Sequence, residues 1–255
     1  MRIGREKKGQ FIIIAALMIT IMIISISAII YGSVTYFKHE RWEEYVVLVD
    51  SVKMGTSRVV EISLANYTQT LNNTILGVNL GKWSNDLRQA YAGFGVILTY
   101  TKLQGAVQAY GVTINYNMGL AYTWYQNASF SAANTSVSLD LSSAGLTGYN
   151  FVTSTFLKET ILDAKYDASK ETLSIYLSIE REDLIPIANL KKDRFSLQVD
   201  GVSEDFSFSR YFSGTYGMFI YEIGYSTTSQ PSMVSVTATD TRGIRVIANS
   251  TVTQV

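Results

Sequence analysis

An uninterrupted apolar stretch near the N-terminus constrains this chain more than any other feature. Residues 11–31 read FIIIAALMITIMIISISAIIY, without a charged residue or a proline. The polar interruptions are Thr20, Ser25 and Ser27, and a hydroxyl in a helix can bond to the carbonyl one turn earlier. A helix of this length crosses the hydrocarbon core of a bilayer. The sequence therefore predicts one membrane-spanning helix, in contact with membrane lipid, from which the rest of the chain extends.

The charges before and after this stretch predict its orientation. Residues 1–9 carry one acidic residue, Glu6, and four basic residues, which are Arg2, Arg5, Lys7 and Lys8. The basic residues after the stretch, Lys38 and Arg41, are accompanied by acidic ones. Because basic residues favour the cytoplasmic side of a membrane, we expect a single-pass protein of the cell membrane with a cytoplasmic N-terminus and an extracellular C-terminal domain.

The composition agrees with an extracellular domain and excludes several function classes. The leader, residues 1–9, has a net charge of +3 in a chain whose net charge is zero, so residues 10–255 carry −3. Such a weakly acidic domain lacks the electrostatic footprint of a nucleic-acid-binding protein, and we expect no nucleic-acid partner. The sequence contains no cysteine, which excludes disulfides, thiol nucleophiles and thiolate metal sites.

Five Asn-x-Ser/Thr sequons follow the apolar stretch, at Asn66, Asn72, Asn127, Asn134 and Asn249. A sequon is an acceptor for an N-linked glycan when it lies on the extracellular side. Chance alone gives roughly two or three sequons in a chain with this Asn, Ser and Thr content, so the excess is modest. The five residues are candidate glycosylation sites of a glycoprotein and support the predicted topology, but they do not indicate a function.

The junction between the basic leader and the apolar stretch reads Lys7-Lys8-Gly9-Gln10. An ordinary secretory signal peptide is cut after its apolar region, at a small-x-small motif. Here a basic-basic-Gly-Gln step precedes the apolar region, and it resembles the class III signal peptide of archaeal type IV pilins and archaellins. The resemblance covers the leader region alone.

This resemblance implies that a prepilin peptidase cleaves between Gly9 and Gln10. It also implies that the retained helix stays in the membrane or packs in the core of a surface filament, with other pilin-like subunits or envelope proteins as partners.

Two other interpretations of the leader stay open. A basic flank also suits a permanently anchored, uncleaved surface protein whose ectodomain binds a protein or a glycan. A conventional signal peptide that ends at Ser25-Ile26-Ser27 would instead release the chain from Ala28 onward.

Beyond the apolar stretch the sequence predicts an α+β fold. Apolar residues recur at three- and four-residue steps through residues 45–71, so the membrane helix is expected to continue as a helical stalk. Turn-forming residues cluster at residues 72–81, and Ser84 resembles the N-cap of a short helix at residues 85–92. The expected organisation is a leader (1–9), a transmembrane helix and stalk (10–75), a β-rich module (82–165) and a second β module (166–255).

Alternating, β-branched and aromatic residues predict the strands of both modules. In the first module they lie at residues 96–101, 112–116, 136–141 and 151–161. In the second they lie at residues 172–179, 195–199, 218–223, 234–239 and 244–248, with turns at Asp200-Gly201 and residues 240–243. Short strands at this spacing are typical of an immunoglobulin-like β-sandwich, which we expect at the C-terminus.

Residues that carry catalytic chemistry are sparse in this sequence. His39 is the single histidine and follows the membrane stretch closely, so zinc sites and His-assisted nucleophiles lack their usual groups. The acidic clusters at Glu43-Glu44, residues 180–183 and Glu204-Asp205 have the composition of solvated turns. We expect no enzyme activity, no metal and no cofactor.

A group of aromatic residues is the remaining candidate for a contact surface. Tyr116, Tyr122, Trp124 and Tyr125 follow one another closely in a β-rich region. Aromatic side chains on a sheet stack on sugars or form subunit interfaces, although strand alternation buries about half of them in a core. The sequence as a whole predicts a pilin-like structural or adhesion protein of an archaeal cell surface.

Overall fold

The computed structural model describes residues 6–255 and, within them, the side chains of residues 13, 15–33 and 43–255. The first element is a long helix, α1 (Glu6–Thr70). The chain divides into two compact units, Met1–Val52 and Lys53–Val255, so α1 contributes to both.

The first unit contains a helical segment that is long and apolar enough to cross a membrane. This segment is Ala15–Ser33, with 19 residues and a mean hydropathy of 2.2. Its large apolar side chains are exposed, from 52% for Ile26 to 77% for Tyr31. The expectation of one apolar N-terminal helix is confirmed.

Two polar side chains of this segment bond to the helix itself. Thr20 donates to the carbonyl oxygen of Ala16 at 2.9 Å, and Ser25 donates to that of Ile21 at 2.8 Å. Both hydroxyls therefore enter an apolar environment with a hydrogen bond already made, which removes most of the cost of burying them.

The second unit begins with the end of α1, which leads through a short turn into the helix α2 (Ile75–Ala90). The predicted stop of the first helix near residue 72 agrees with the end of α1, but the turn is shorter than residues 72–81 and the predicted helix cap at Ser84 is wrong. Ser84 lies inside α2, and its hydroxyl donates to the carbonyl oxygen of Leu98 at 3.0 Å.

Apolar burial explains why α2 forms across two glycines, Gly77 and Gly81, that favoured a turn. Each glycine costs a helix about 1 kcal/mol relative to alanine. Leu76, Leu80 and Leu87 are buried on one face of α2, and each buried leucine contributes roughly 1.5–3 kcal/mol. The burial outweighs the two glycines.

Fourteen strands follow within the described residues. They are β1 (Val96–Lys102), β2 (Gly105–Ala109), β3 (Val112–Tyr116), β4 (Leu120–Thr123), β5 (Ala128–Leu141), β6 (Leu146–Asp167), β7 (Thr172–Arg181), β8 (Phe195–Val199), β9 (Val202–Glu204), β10 (Ser207–Ser213), β11 (Met218–Ser226), β12 (Met233–Thr239), β13 (Arg245–Thr251) and β14 (Thr253–Gln254).

The larger sheet, sheet 1, is built around the two longest strands. Its order is β1-β5-β6-β7-β11-β10, and β4 and β14 add to β5 and β6. The pairs are antiparallel except that of β14 with β6. The predicted boundary between residues 165 and 166 falls inside β6, which pairs with β5 and with β7. The two predicted β modules share one sheet, because a 22-residue strand is long enough to pair with both.

The smaller sheet, sheet 2, has the order β13-β12-β8-β9 and is antiparallel throughout. Its inward residues, among them Leu197, Val236 and Val246, share one buried cluster with Leu173 and Ile223 of sheet 1. The two sheets therefore form the two layers of a β-sandwich. The expected α+β fold is confirmed, and its sheets are mostly antiparallel.

The helices of the second unit complete the same core. Leu64 and Tyr67 of α1 and Leu80 of α2 belong to the cluster that joins the sheets. The hairpin of β2 and β3 packs on a smaller cluster that contains Ile114 and Phe156.

Candidate functional site

The predicted contact aromatics separate into surface and core residues. Tyr122 is 41% exposed, Tyr125 is 62% exposed and Trp124 is half-buried. Tyr116 is a correction to this set because it is only 3% exposed and belongs to a buried cluster with Phe130. Burial raises the pKa of Tyr116 to about 12. Successive side chains of β3 point to opposite faces of the strand, and Tyr116 points to the buried face.

Tyr67, Tyr122, Trp124 and Tyr125 form a continuous aromatic row. Successive ring centroids lie 5.8, 4.7 and 6.5 Å apart, within the usual range for favourable aromatic pairs. Burial and the neighbouring Tyr122 raise the pKa of Tyr67. The sequence did not associate Tyr67 with the other three because about fifty residues separate it from them; it joins the row through the packing of α1.

Backbone and side-chain hydrogen bonds hold the row in place. The N–H of Tyr125 donates to the carbonyl of Ile247 at 2.9 Å, beside β13. Trp124 donates through Nε1 to Ser131, whose hydroxyl donates to the carbonyl of Arg245. The row therefore starts at α1 and β4 and ends at the β13 edge of sheet 2.

Tyr125 adopts an unfavourable backbone conformation at the exposed end of the row. Its φ of 63° is left-handed, which costs a non-glycine residue about 1–2 kcal/mol. Such conformations persist where surrounding bonds hold them, and they cluster at functional sites. The exposed end of the aromatic row is therefore a candidate contact surface.

A groove of about 240 Å³ lies on the outer face of sheet 2. Arg194 and Arg245 line it, and neither guanidinium makes an ion pair or hydrogen bond with another described residue. The groove is also lined by hydroxyl, amide and other groups from Gln69, Asp193, Phe195, Ser196, Thr237, Thr239 and Gly243. The two arginines outnumber the one acidic lining residue, Asp193, and this excess of positive charge among hydroxyl groups suits a small, acidic, hydroxyl-bearing ligand.

The five predicted glycosylation sites lie in different environments. Asn66 is exposed on α1, but the hydroxyl of its sequon partner Thr68 is buried and bonded to Ala65. Asn127 is exposed, but its partner Ser129 is fully buried and bonded to Gln126.

The remaining sequons differ equally. Asn134 is half-buried in the middle of β5, where its backbone bonds to Gly119 and Leu103. The Oδ1 of Asn249 is buried without a hydrogen-bond partner. Asn72 lies exposed in the turn between α1 and α2, and its partner Thr74 is exposed as well.

A carboxylate that the sequence analysis did not single out, Glu159, lies fully buried between the sheets. Neither of its side-chain oxygens makes a hydrogen bond of normal geometry. Burial raises the pKa of Glu159 well above its ordinary value, and the nearby N–H groups of Ala238 and Ala248 lower it by less. The alternation of inward and outward residues along β6 could have indicated that Glu159 is buried, because Leu157 and Ile161 lie two residues to either side of it at inward positions.

Part of each acidic cluster beyond Val52 is engaged in ion pairs. The pairs are Lys158 with Glu180 at 3.2 Å, Arg242 with Glu182 at 2.6 Å and Lys192 with Asp205 at 2.8 Å. Arg242 also holds Asp240 of the β12–β13 turn at 2.6 Å and donates to the carbonyl of Phe156 in β6. Among the described residues, no group of three or more metal-ligating side chains comes together.

The predicted leader-processing residues, Lys7, Lys8, Gly9 and Gln10, lie outside the residues whose side chains are described, and His39 does too. Their predicted roles stay predictions.

Comparisons with known proteins give only weak structural likenesses. No protein-family model and no curated protein matches the chain. A solved chimeric titin Z1Z2-Z1Z2 tandem, functionalised with an exogenous fibronectin peptide, is 11% identical with a TM-score of 0.24, covering 63% of this chain and 91% of its own. A tandem of titin Ig domains is 7% identical with a TM-score of 0.22, covering 63% of this chain and 89% of its own. At these TM-scores the likenesses carry no weight for fold or function.

Proposed function

We propose that this chain is a pilin-like structural or adhesion protein of an archaeal cell surface, cleaved by a prepilin peptidase between Gly9 and Gln10. The carrying observation is the exposed apolar helix Ala15–Ser33, which follows the Lys7-Lys8-Gly9-Gln10 junction closely. Exposed apolar surface of this extent requires a cover. Lipid covers it in the membrane, and helices of other pilin-like subunits cover it in a filament.

The orientation follows from the charges of the chain. Four basic residues in the leader favour a cytoplasmic N-terminus, and we therefore propose that Lys53–Val255 lies outside. The continuation of α1 to Thr70 supports a helix that extends beyond the apolar segment, as the pilin-like interpretation expects.

The strand order supports an immunoglobulin-type sandwich as the extracellular platform. The order β6-β7-β11-β10 in one sheet and β13-β12-β8-β9 in the other corresponds to A-B-E-D facing G-F-C with one added strand. We assign the sandwich a structural and binding role.

The N-terminus of the native protein, measured by mass spectrometry in its host of origin, tests the proposal. A mature chain that starts at Gln10 is the expected result. A chain that retains Met1 or Arg2 would contradict pilin-like processing, and a start at Ala28 would show a released ectodomain.

Two leader variants make this test specific. Gly9→Val places a branched side chain at the cleavage position and should leave the leader attached. Gly4→Val makes the same change elsewhere in the leader and should be processed normally. Equal processing of both variants would argue against cleavage at Gly9.

The second candidate function is that of a permanently anchored surface protein that binds a glycan. The groove on sheet 2 favours it, since Arg194 and Arg245 suit a carboxylate and the hydroxyl groups of Ser196 and Thr237 suit a sugar. Calorimetric titration with oligogalacturonate, and with a neutral galactan oligosaccharide as control, tests this function.

We expect binding of the acidic sugar alone, weakened at least tenfold by Arg245→Gln. The exposed Arg181, at the end of β7, provides a matched control in Arg181→Gln. Equal affinity for the neutral sugar, or no effect of Arg245→Gln, would exclude this site.

A further inference from the structure

We infer that Asn72 is the residue at which this protein carries an N-linked glycan, and that the other four sequons stay unmodified in the folded chain. The inference rests on the proposed extracellular location of Lys53–Val255. It concerns a modification site and holds whether or not filaments form.

The turn between α1 and α2 presents this sequon in a bonded geometry. The Oδ1 of Asn72 accepts a hydrogen bond from the N–H of Thr74 at 3.0 Å and another from the Thr74 hydroxyl at 2.8 Å. Both residues are exposed, and no described group bonds to the Nδ2 of Asn72. Two donors on the carbonyl oxygen withdraw electron density from the amide and make its N–H more acidic.

At least one of these two requirements, an exposed asparagine amide and an exposed partner hydroxyl, fails at each of the other sequons. At Asn66 and Asn127 the partner hydroxyl is buried, at 1% and 0% exposure, and points to a backbone carbonyl. The amide of Asn134 lies half-buried in a central strand, and that of Asn249 has a buried oxygen. Asn72 alone among the five sequons combines an exposed amide with an exposed hydroxyl bonded to it.

The transfer is a substitution at the first carbon of a sugar. The Nδ2 of Asn72 forms the new bond to the anomeric carbon of a polyisoprenoid-phosphate-linked oligosaccharide. The bond from that carbon to the phosphate oxygen breaks, and the phosphate leaves with the electron pair. The proton of Nδ2 passes to a base of the transferase.

One peptide of the native protein tests the inference against an internal control. Trypsin cleaves after Arg58 and Lys82, so the peptide of residues 59–82 contains both Asn66 and Asn72. Fragmentation mass spectrometry of the protein from its host of origin locates any added sugar mass. We expect the mass on Asn72 and an unmodified Asn66, whereas an unmodified peptide or a modified Asn66, with or without Asn72, would overturn the inference.

Variants of the full chain separate the sequon from the fold. Asn72→Gln and Thr74→Val should abolish the mass shift of the intact protein, Thr74→Ser should retain it, and Asn66→Gln should not change it. Circular dichroism in detergent verifies that each variant is folded. A shift that persists in Asn72→Gln would contradict the assignment.

A labelling experiment distinguishes failure of this inference from failure of the proposed location. The chain has no cysteine, so Ser203→Cys on the exposed strand β9 introduces a single thiol. Labelling by a membrane-impermeant maleimide on intact cells shows that the β domain is outside. If the thiol is labelled but peptide 59–82 carries no sugar, the glycan site alone is overturned. If the thiol is not labelled, both the glycan site and the proposed extracellular location are overturned.

Discussion

At the scale of single residues, Glu159 is the most unusual feature of the sandwich. It is an acid at 0% exposure, and the residues directly opposite it, Ser129 in β5 and Ile179 in β7, carry no charge. Ala238 and Ala248 in sheet 2 are uncharged as well. An ionised carboxylate without a partner is costly in such a place, and neutralisation is the cheaper state. Glu159 is therefore protonated in the folded protein at pH values where the unfolded chain ionises.

This protonation predicts the pH dependence of stability. Because the folded state holds the proton more tightly, the stability is present in full below the ordinary pKa of about 4.5 and falls as the pH rises above it. The slope approaches about 1.4 kcal/mol per pH unit until the raised pKa is passed. Urea unfolding of the full chain in detergent between pH 5 and 8 should show this decline.

Glu159→Gln removes the titrating group and should flatten that decline. We expect the variant to be more stable than the unmodified chain at pH 8 by more than about 1 kcal/mol. Glu171→Gln, at an exposed turn, removes the same charge from the surface and serves as the control. Parallel pH profiles for the original chain and Glu159→Gln would show that Glu159 is ionised when buried.

At the scale of elements, the contact between α1 and α2 depends on a glycine. A Cβ atom at Gly55 would overlap the ring of Trp83, which donates from Nε1 to the hydroxyl of Thr56 at 3.1 Å. Helix propensity alone predicts that Gly55→Ala stabilises by about 1 kcal/mol. Overpacking costs typically 1–3 kcal/mol, so we expect a net loss of about 1 kcal/mol in the free energy of unfolding.

A double-mutant cycle with Trp83→Leu isolates this clash. In the Trp83→Leu variant, Gly55→Ala should become stabilising, because the smaller leucine side chain leaves room for the Cβ atom added at residue 55. Gly93→Ala, where nothing lies within 4 Å of the added carbon, controls for the general effect of alanine. If Gly55→Ala lowers the free energy of unfolding equally with Trp83 and with Trp83→Leu, the ring of Trp83 is not the cause of the loss.

Much of the element pattern follows from sequence because local chemistry decides it. The predicted strands at residues 112–116 and 195–199 coincide with β3 and β8, where apolar residues alternate. Asp200 and Gly201 both have positive φ and join β8 to β9, as the predicted hairpin turn requires. The sequence did not predict β10, which is an edge strand. Its side chains are exposed at successive positions, so its sequence lacks the apolar-polar alternation of a half-buried strand.

The candidate site was less predictable because its parts come together only through tertiary packing. The sequence predicted Tyr122, Trp124 and Tyr125, which are neighbours in the chain. It did not predict that Tyr67 joins them, because Tyr67 reaches the row through the packing of α1. It also did not predict that Arg194 and Arg245 line one groove, because the register of sheet 2 brings them there. Tyr116 was assigned to the surface because an alternating pattern does not say which of its two faces is inward.

At the scale of the whole molecule, the exposed helix Ala15–Ser33 is long and apolar enough to cross a membrane. Soluble proteins seldom expose a continuous apolar surface of this kind. Ile23 lies near the middle of the segment and is 59% exposed. An aspartate at the centre of a spanning helix costs about 2.5–3.5 kcal/mol on an insertion scale, while isoleucine contributes favourably.

Ile23→Asp should therefore lower the ratio of inserted to uninserted protein by roughly 100- to 1,000-fold. The measurement is the fraction of full-length chain that stays in the membrane pellet after alkaline carbonate extraction. Ile23→Leu, which keeps the side chain apolar, should remain in the pellet. Since Ile23 lies outside the unit Lys53–Val255, the near-ultraviolet circular dichroism of that unit should not change. Full retention of Ile23→Asp would mean that this helix does not anchor the chain, and both the filament and the anchored-protein proposals would fail together, because each needs an apolar helix at this position.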